Sequence, residues 1–265
     1  MSLNPSQQML LQSIFSTGIL NGSDIFKLLK KCCQEYDVLM EDQKNVLLSY
    51  VRTINEAVAV YGLRIKKTID EVDEKSYYCL VNTVESNFTL LSTIYTQNEL
   101  DFFKKLVESI ITSEKGNIGS IAAVNISDNM SKKMSKSDAE DLLDRFIDGK
   151  WIGKTKNGRV YLGCRSVIEL EQYLLSMYED NAIRCNLCKS LCTQGSSCNK
   201  CNIRIHHHCA RKYFKTMTGQ KCPDCKTVWN EPEDRSSQNG QHDMDVDTSS
   251  SQSSTSERKR TSSHM

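Results

Sequence analysis

The chain has almost no excess of either charge: 34 Lys and Arg face 33 Asp and Glu, a formal net charge of +1 over 265 residues. That balance excludes a global field drawing the chain to nucleic acid or to an anionic membrane. Long apolar runs are missing as well. No stretch approaches the roughly 20 residues needed to cross a bilayer, so no membrane partner is expected. No secretory leader is recognisable at the start. After Trp229 large apolar groups nearly disappear, and residues 230–265 are rich in Ser, Thr, Asp and Gln. Such a segment cannot offset its ordering entropy, and a disordered tail is expected. Arg258-Lys259-Arg260 within it reads either as a nuclear-import signal or as a solvated patch.

What the chain does have is cysteine, concentrated in one place. Eight of its twelve cysteines and three of its five histidines lie between Cys185 and Cys225. Seven of those cysteines and one histidine form four doublets, Cys185/Cys188, Cys198/Cys201, His206/Cys209 and Cys222/Cys225, each with two residues between its members. That gap lets both side chains reach one ion from a tight turn. Four thiolate or imidazole ligands close one tetrahedral site, and eight close two. The segment is too short to bury a self-sufficient core. Two structural Zn2+ ions would staple it, each supplying about 10–16 kcal/mol of apparent binding energy at neutral pH. A disulfide framework is the competing reading, but it has no use for paired doublets and no leader precedes it. His206 is preferred over His207 and His208 because it repeats the two-residue gap to Cys209; those two and Cys192 are read as bystanders. Cys32, Cys33, Cys79 and Cys164 lie in or beside apolar periodic segments and read as reduced core thiols, as expected of a soluble intracellular protein.

The rest of the chain alternates helical and strand patterns. Met9, Leu10, Ile14 and Phe15 recur at helical spacing up to Gly18–Gly22. Ser23 is the expected N-cap of a second helix carrying Ile25, Phe26, Leu28 and Leu29. A third helix is expected over Gln43–Tyr61, with Val46, Leu47, Val51, Ile54 and Val58 on one face. A hairpin then follows, Leu63–Ile65 turning at Asp73–Lys75 and returning at Tyr77–Val81. Helices followed by a hairpin suggest a winged helix over residues 1–90.

Residues 91–180 suggest another, with no residue-level repeat between the two. Thr96 and Glu99 fit a capping box before Phe102, Phe103, Leu106, Val107 and Ile110. A short helix or strand is expected around Ile121–Ile126, then a helix through Ala139–Ile147 opened by a Ser137/Glu140 box. Trp151-Ile152 and Val160–Leu162 flank the hairpin dipeptide Asn157-Gly158, and a last helix is expected from Ser166 to Tyr178. The presumptive recognition helix carries Asp138, Glu140, Asp141, Asp144 and Asp148, which disfavours insertion into a DNA groove and favours docking to protein.

The doublet spacings of two, nine, two, four, two, twelve and two residues resemble a variant RING finger of four cysteines, one histidine and three cysteines. The resemblance implies alternating pairing, Cys185, Cys188, His206 and Cys209 on one zinc and Cys198, Cys201, Cys222 and Cys225 on the other. PHD fingers, which read histone tails, share the ligand order but usually carry an aromatic residue where Gln220 stands. Two winged helices before a variant RING (residues 183–229) resemble the non-SMC element 1 family of the SMC five-six complex. Asn98–Asp101, Trp151-Ile152, Leu170–Tyr173 and Cys198–His206 carry that likeness over residues 5 to 229. The expected fold is therefore mainly α with small β-hairpins: tandem winged helices and a cross-braced two-zinc module.

The family implies a nuclear, chromatin-associated RING-type ubiquitin ligase subunit acting in DNA repair. It implies a MAGE-type partner (non-SMC element 3), a kleisin (non-SMC element 4), the SMC five-six pair and a ubiquitin-conjugating enzyme, with DNA met through the assembly. No side chain is expected to be catalytic. Leu187, Tyr213, Pro223 and Lys226 are the conjugating-enzyme contacts the resemblance points to; packing of Leu187, Tyr213 and Trp229 into the small core is the alternative. For the whole chain the alternatives are an architectural, non-enzymatic subunit and a PHD-like histone reader.

Overall fold

The computed structural model describes residues 2–83, 91, 94–216 and 219–229; the expected disordered tail and its basic triplet lie outside them. The chain begins with α1 (Pro5–Thr17), β1 (Ile19–Asn21), α2 (Gly22–Glu35) and α3 (Gln43–Val58), the last running into a 3-10 turn at Ala59–Tyr61. The hairpin β2 (Leu63–Ile69) and β3 (Ser76–Asn82) follows. β3 is the central strand of an antiparallel sheet ordered β1-β3-β2, with Ile19 opposite Cys79 and Ile65 opposite Leu80.

The same order recurs in α4 (Gln97–Ile111), β4 (Asn117–Gly119), α5 (Ser120–Asn125), α6 (Lys136–Asp148), β5 (Ile152–Lys154) and β6 (Arg159–Leu162). Its sheet is ordered β4-β6-β5. Two winged helices in series are thus present, each with a three-residue strand that the sequence reading did not place. Such a strand is too short for its alternation to show. The Asn157-Gly158 turn forms as expected, Gly158 taking a φ of +70° that glycine accepts without strain.

At α1, α2, α3, α4 and α6 a side-chain acceptor takes up an otherwise unpaired first amide. Thr96 and Glu99 form the expected reciprocal box on α4. Elsewhere the expected caps are displaced by two residues. Asn21, not Ser23, caps α2, its side chain accepting from the Asp24 amide at 2.8 Å. Ser135, not Ser137, caps α6, boxed with Asp138. The expected last helix is two, α7 (Cys164–Glu169) and α8 (Glu171–Met177), broken where Leu170 leaves helical geometry at φ −100° and ψ 5°. Leu10 and Ile14 face inward as expected, joined by Ser6 and Gln7, whereas Phe15, expected on the same face of α1, is 67% exposed.

Each winged helix has its own core. Leu10, Ile14, Ile25, Leu29, Leu47 and Ile54 fill the first. Phe102, Phe103, Leu106, Ile110, Leu142 and Phe146 fill the second, with Phe103 and Phe146 tilted at a 4.8 Å centroid separation. Burial of a side chain of this size contributes roughly 1.5–3 kcal/mol. Cys32, Cys33, Cys79 and Cys164 are all buried, as expected of core thiols. Burial pushes the Cys164 thiol up to about 12. The Cys79 thiol joins the two halves, donating to Glu169 at 3.3 Å, while Glu169 also accepts from Arg165, whose guanidinium lies 4.3 Å from the Trp151 ring centre.

The carboxyl-terminal module contains little regular structure: the two-residue pairs β7 (Ile183–Arg184) with β8 (Leu191–Cys192) and β9 (Ser196–Ser197) with β10 (Arg204–Ile205), then α9 (His207–Lys215). Leu191 belongs to the core of the second winged helix, so the module is seated on it. The β2–β3 turn reaches the module from the first.

Candidate metal centre

Three of the four doublets are built alike. In each, the amide after the second cysteine donates to the carbonyl of the first: Lys189 to Cys185 at 2.9 Å, Asn202 to Cys198 at 3.0 Å and Lys226 to Cys222 at 3.1 Å. The first cysteine's own amide donates five residues ahead, Cys185 to Ser190, Cys198 to Ile203 and Cys222 to Thr227. Closing so tight a knuckle forces the residue after the second cysteine into the left-handed region, and Lys189, Asn202 and Lys226 have φ of 65°, 58° and 60°. Each such conformation costs of order 1–2 kcal/mol outside glycine, offset here by the two hydrogen bonds it makes possible. The fourth doublet is helical: His206 stands at the N-cap position of α9 without a side-chain cap bond, and the Ala210 amide donates to its carbonyl.

The fold brings the doublets together alternately. The donor atoms of Cys185, Cys188, His206 and Cys209 lie within 4.8 Å of one another, as do those of Cys198, Cys201, Cys222 and Cys225. Cys188 Sγ and Cys209 Sγ stand 3.3 and 3.8 Å from His206 Nδ1. In the other group Cys198 meets Cys225, and Cys201 meets Cys222, each at 3.6 Å. Tetrahedral zinc with bonds of ~2.3 Å to sulfur and ~2.0 Å to nitrogen places neighbouring donors about 3.5–3.8 Å apart. The spacing is that of ligands around one ion and far from the ~2.05 Å of a disulfide. Two closed sets of soft donors with no open position are consistent with structural zinc. Cys185 is fully buried, and hydrogen bonds from Cys188 and Cys209 hold its thiol far below the ordinary range. The Thr227 hydroxyl and amide hold Cys225 down at about 6.

The neighbouring candidates stand outside the two four-donor groups. His207 Nδ1 pairs with the Ser196 hydroxyl at 3.2 Å. His208 stacks on His206 with rings 4.9 Å apart, and burial pushes it down to about 4, so it is neutral at physiological pH. Cys192 is buried, its thiol pushed up to about 11 by that burial.

The surface residues of the module divide. Leu187 is half-buried against the cysteine core, and Tyr213 is half-buried edge-on to Phe214, which meets buried Trp229 at 5.7 Å. Pro223 is half-buried in its knuckle, and Lys226 is exposed with its ammonium donating to the Pro223 carbonyl at 2.6 Å.

Sequence reasoning missed the contribution of the β2–β3 turn, which it read only as a reversal at Asp73–Lys75. Glu71 there is buried, and its carboxylate lies 3.0 Å from His206 Nε2. Glu74 pairs through both oxygens with Arg211 on α9. Asp70 accepts from the Tyr161 hydroxyl on β6. No local pattern marks these acids, because their partners lie far along the chain.

Comparison with known proteins places this architecture. Residues 185–225 match a family model described as a RING-like domain, and residues 7–170 match one described as Nse1 non-SMC component of SMC5-6 complex. The non-structural maintenance of chromosomes element 1 homolog of Xenopus laevis is 38% identical over 86% of this chain and 83% of its own. The Homo sapiens homolog is 35% identical over 83% and 82%, and the Drosophila melanogaster homolog 28% identical over 79% and 88%. A solved chain from an Nse1-Nse3-Nse4 complex superposes with a TM-score of 0.75 at 36% identity, covering 88% of this chain and 99% of that one. With matching winged helices, a matching RING-like module and relatives spanning both, the chain belongs to the Nse1 family, the non-SMC component of the SMC5-6 complex.

Proposed function

We propose that the chain is a zinc-stabilised RING-type ubiquitin ligase subunit of the SMC5-6 complex, nuclear and chromatin-associated, acting in DNA repair and chromosome maintenance. The carrying observation is the pair of interleaved donor sets at residues 185–225 within a RING-like match. On this reading Cys185, Cys188, His206 and Cys209 hold one Zn2+, and Cys198, Cys201, Cys222 and Cys225 the other. The working units are the winged helices at 1–90 and 91–180 and the module at 183–229, each with most of its buried apolar residues in a cluster of its own.

Zinc held in these closed sites supplies rigidity and no Lewis-acid chemistry. The module contributes no nucleophile. Leu187, Tyr213 and Pro223 would form the surface that receives a ubiquitin-charged conjugating enzyme and holds its thioester in a reactive geometry, a proximity effect. Lys226 would turn from the Pro223 carbonyl toward ubiquitin. The winged helices serve protein partners. A MAGE-type non-SMC element 3 subunit and a kleisin non-SMC element 4 subunit are those of the Nse1-Nse3-Nse4 structure it resembles. Exposed Phe15, Val60, Tyr61 and Ile94 offer apolar contact area for them. Asp138, Glu140, Asp141, Asp144 and Asp148 all sit exposed on or beside the outer face of α6, which repels a phosphate backbone. DNA contact therefore belongs to the assembly.

An architectural role is the second reading, favoured by the Lys226 ammonium lying on its own knuckle and by the module's seating on both winged helices. Ubiquitin discharge separates the two. The chain with its MAGE-type partner should accelerate transfer from charged conjugating enzymes to lysine. No acceleration across a panel of conjugating enzymes leaves the architectural role.

A further inference from the structure

Resting on the zinc reading above, we infer that Glu71 is a positioning residue for the metal-ligating His206, supplied by the wing of the first winged helix. The imidazole presents Nδ1 to Cys188 and Cys209, which leaves Nε2 on the opposite edge of the ring. There Nε2 meets the Leu191 carbonyl at 2.9 Å and Glu71 Oε1 at 3.0 Å. With both neighbours acceptors, Nε2 carries the proton and the Nδ1 lone pair is free for the metal. A carboxylate on the far nitrogen of a ligating histidine fixes the tautomer, sets the ring plane and raises the basicity of the donor.

Glu71 is itself fixed. Its side chain is 3% exposed, and a carboxylate so buried is costly unless its oxygens are satisfied. The Thr193 amide donates to Oε1 at 2.9 Å, the Gln194 amide to Oε2 at 3.0 Å, and the Thr193 hydroxyl to Oε2 as well. Every one of these donors belongs to the module, while Glu71 is anchored in a turn whose Val72 and Asp73 amides bond to Asp70 Oδ1. The geometry of one metal site is therefore tied to the docking of a domain more than a hundred residues earlier in the chain. Among the described residues, the third donor cluster, Glu71, Cys192 and His206, shares a residue only with the site that contains the histidine.

The test compares the zinc-loaded full chain with Glu71→Gln and Arg211→Ala. Arg211→Ala breaks the neighbouring wing contact without touching His206. Release to a chromophoric chelator is followed for both ions, and cadmium NMR of the substituted protein distinguishes the histidine-containing environment from the all-cysteine one. Glu71→Gln is expected to speed release of the first ion about tenfold or more and, in the loaded protein, to move only the resonance of the histidine-containing site. Arg211→Ala should leave both rates within twofold of the parent. Unchanged release and spectrum in Glu71→Gln overturn the inference, as do equal effects of the two substitutions, which would mean that the wing acts only by docking. Should Glu71→Gln fail to fold, Thr193→Val, which removes one of the donors that hold the carboxylate, must shift the same resonance for the inference to stand. A parent chain that binds no metal sinks the zinc reading as well, whereas two bound ions unaffected by Glu71→Gln sink this inference alone.

Discussion

The Tyr161 hydroxyl donates to Asp70 Oδ1 at 3.1 Å, joining the second winged helix to the wing of the first across 91 residues of chain. Burial, then the negative charge of Asp73, raises the Asp70 carboxyl above its usual range, more than its hydrogen bonds lower it. A carboxyl whose folded pKa lies above its unfolded one binds more protons in the native state. Its stabilising contribution is complete below the unfolded pKa and is lost as pH rises through the folded one. Asp70→Asn keeps an acceptor for Tyr161 and removes the charge. The variant should melt above the parent at pH 7, and the difference should shrink as pH falls toward 4. A variant that melts lower at pH 7 contradicts this.

Gly116 sits at φ +63° with the Thr193 carbonyl so near that a Cβ would come within 2.2 Å of it. The approach seats the module on the turn before β4. Gly116→Ala should force the two apart, adding of order 1–2 kcal/mol of left-handed strain to the clash. Hydrogen exchange of the Thr193 and Gln194 amides, which donate to Glu71, should then rise about tenfold. Unchanged protection of those amides would show that the contact does not hold the module.

Phe103 and Phe146 are fully buried, and Phe15 is 67% exposed. Phe146→Ala should cost about 3–5 kcal/mol by cavity formation, whereas Phe15→Ser should stay within about 0.5 kcal/mol of the parent. Denaturant melts of the isolated chain decide this; equal costs would mean that the inner face of α1 has been misplaced.

Cys222→Ser removes a fully buried donor from the all-cysteine set. Because each metal ties two distant segments, loss of one site should unfold most of residues 183–229 while the cores around Leu29 and Phe103 persist. Proteolysis should trim the chain back to residue 180 or so. Protection equal to that of the parent would contradict the cross-brace.

Short-range chemistry made much of this legible in the sequence. A doublet with two intervening residues sets its own knuckle, and the Thr96/Glu99 box needs only its own four residues. The caps fall at Asn21 and Ser135, each of which has a second good acceptor two residues on, Ser23 or Ser137, that the local pattern does not tell apart from it. The break at Leu170 left no mark, since its neighbours keep helical apolar spacing. Glu71 was invisible for another reason. An acid in a surface-type turn and a threonine 122 residues away carry no joint pattern until the fold places them in contact.

On the zinc reading, two metal ions held by alternating doublets give the carboxyl-terminal module its shape. Native mass spectrometry of the purified full chain, repeated after denaturation with thiol alkylation, is the decisive experiment. The expected result is a mass increment of two zinc ions per chain and, once the metal is released, twelve alkylated thiols, one for each cysteine. A metal-free native mass, or cysteines of the 185–225 segment blocked by pairing with one another, would contradict it.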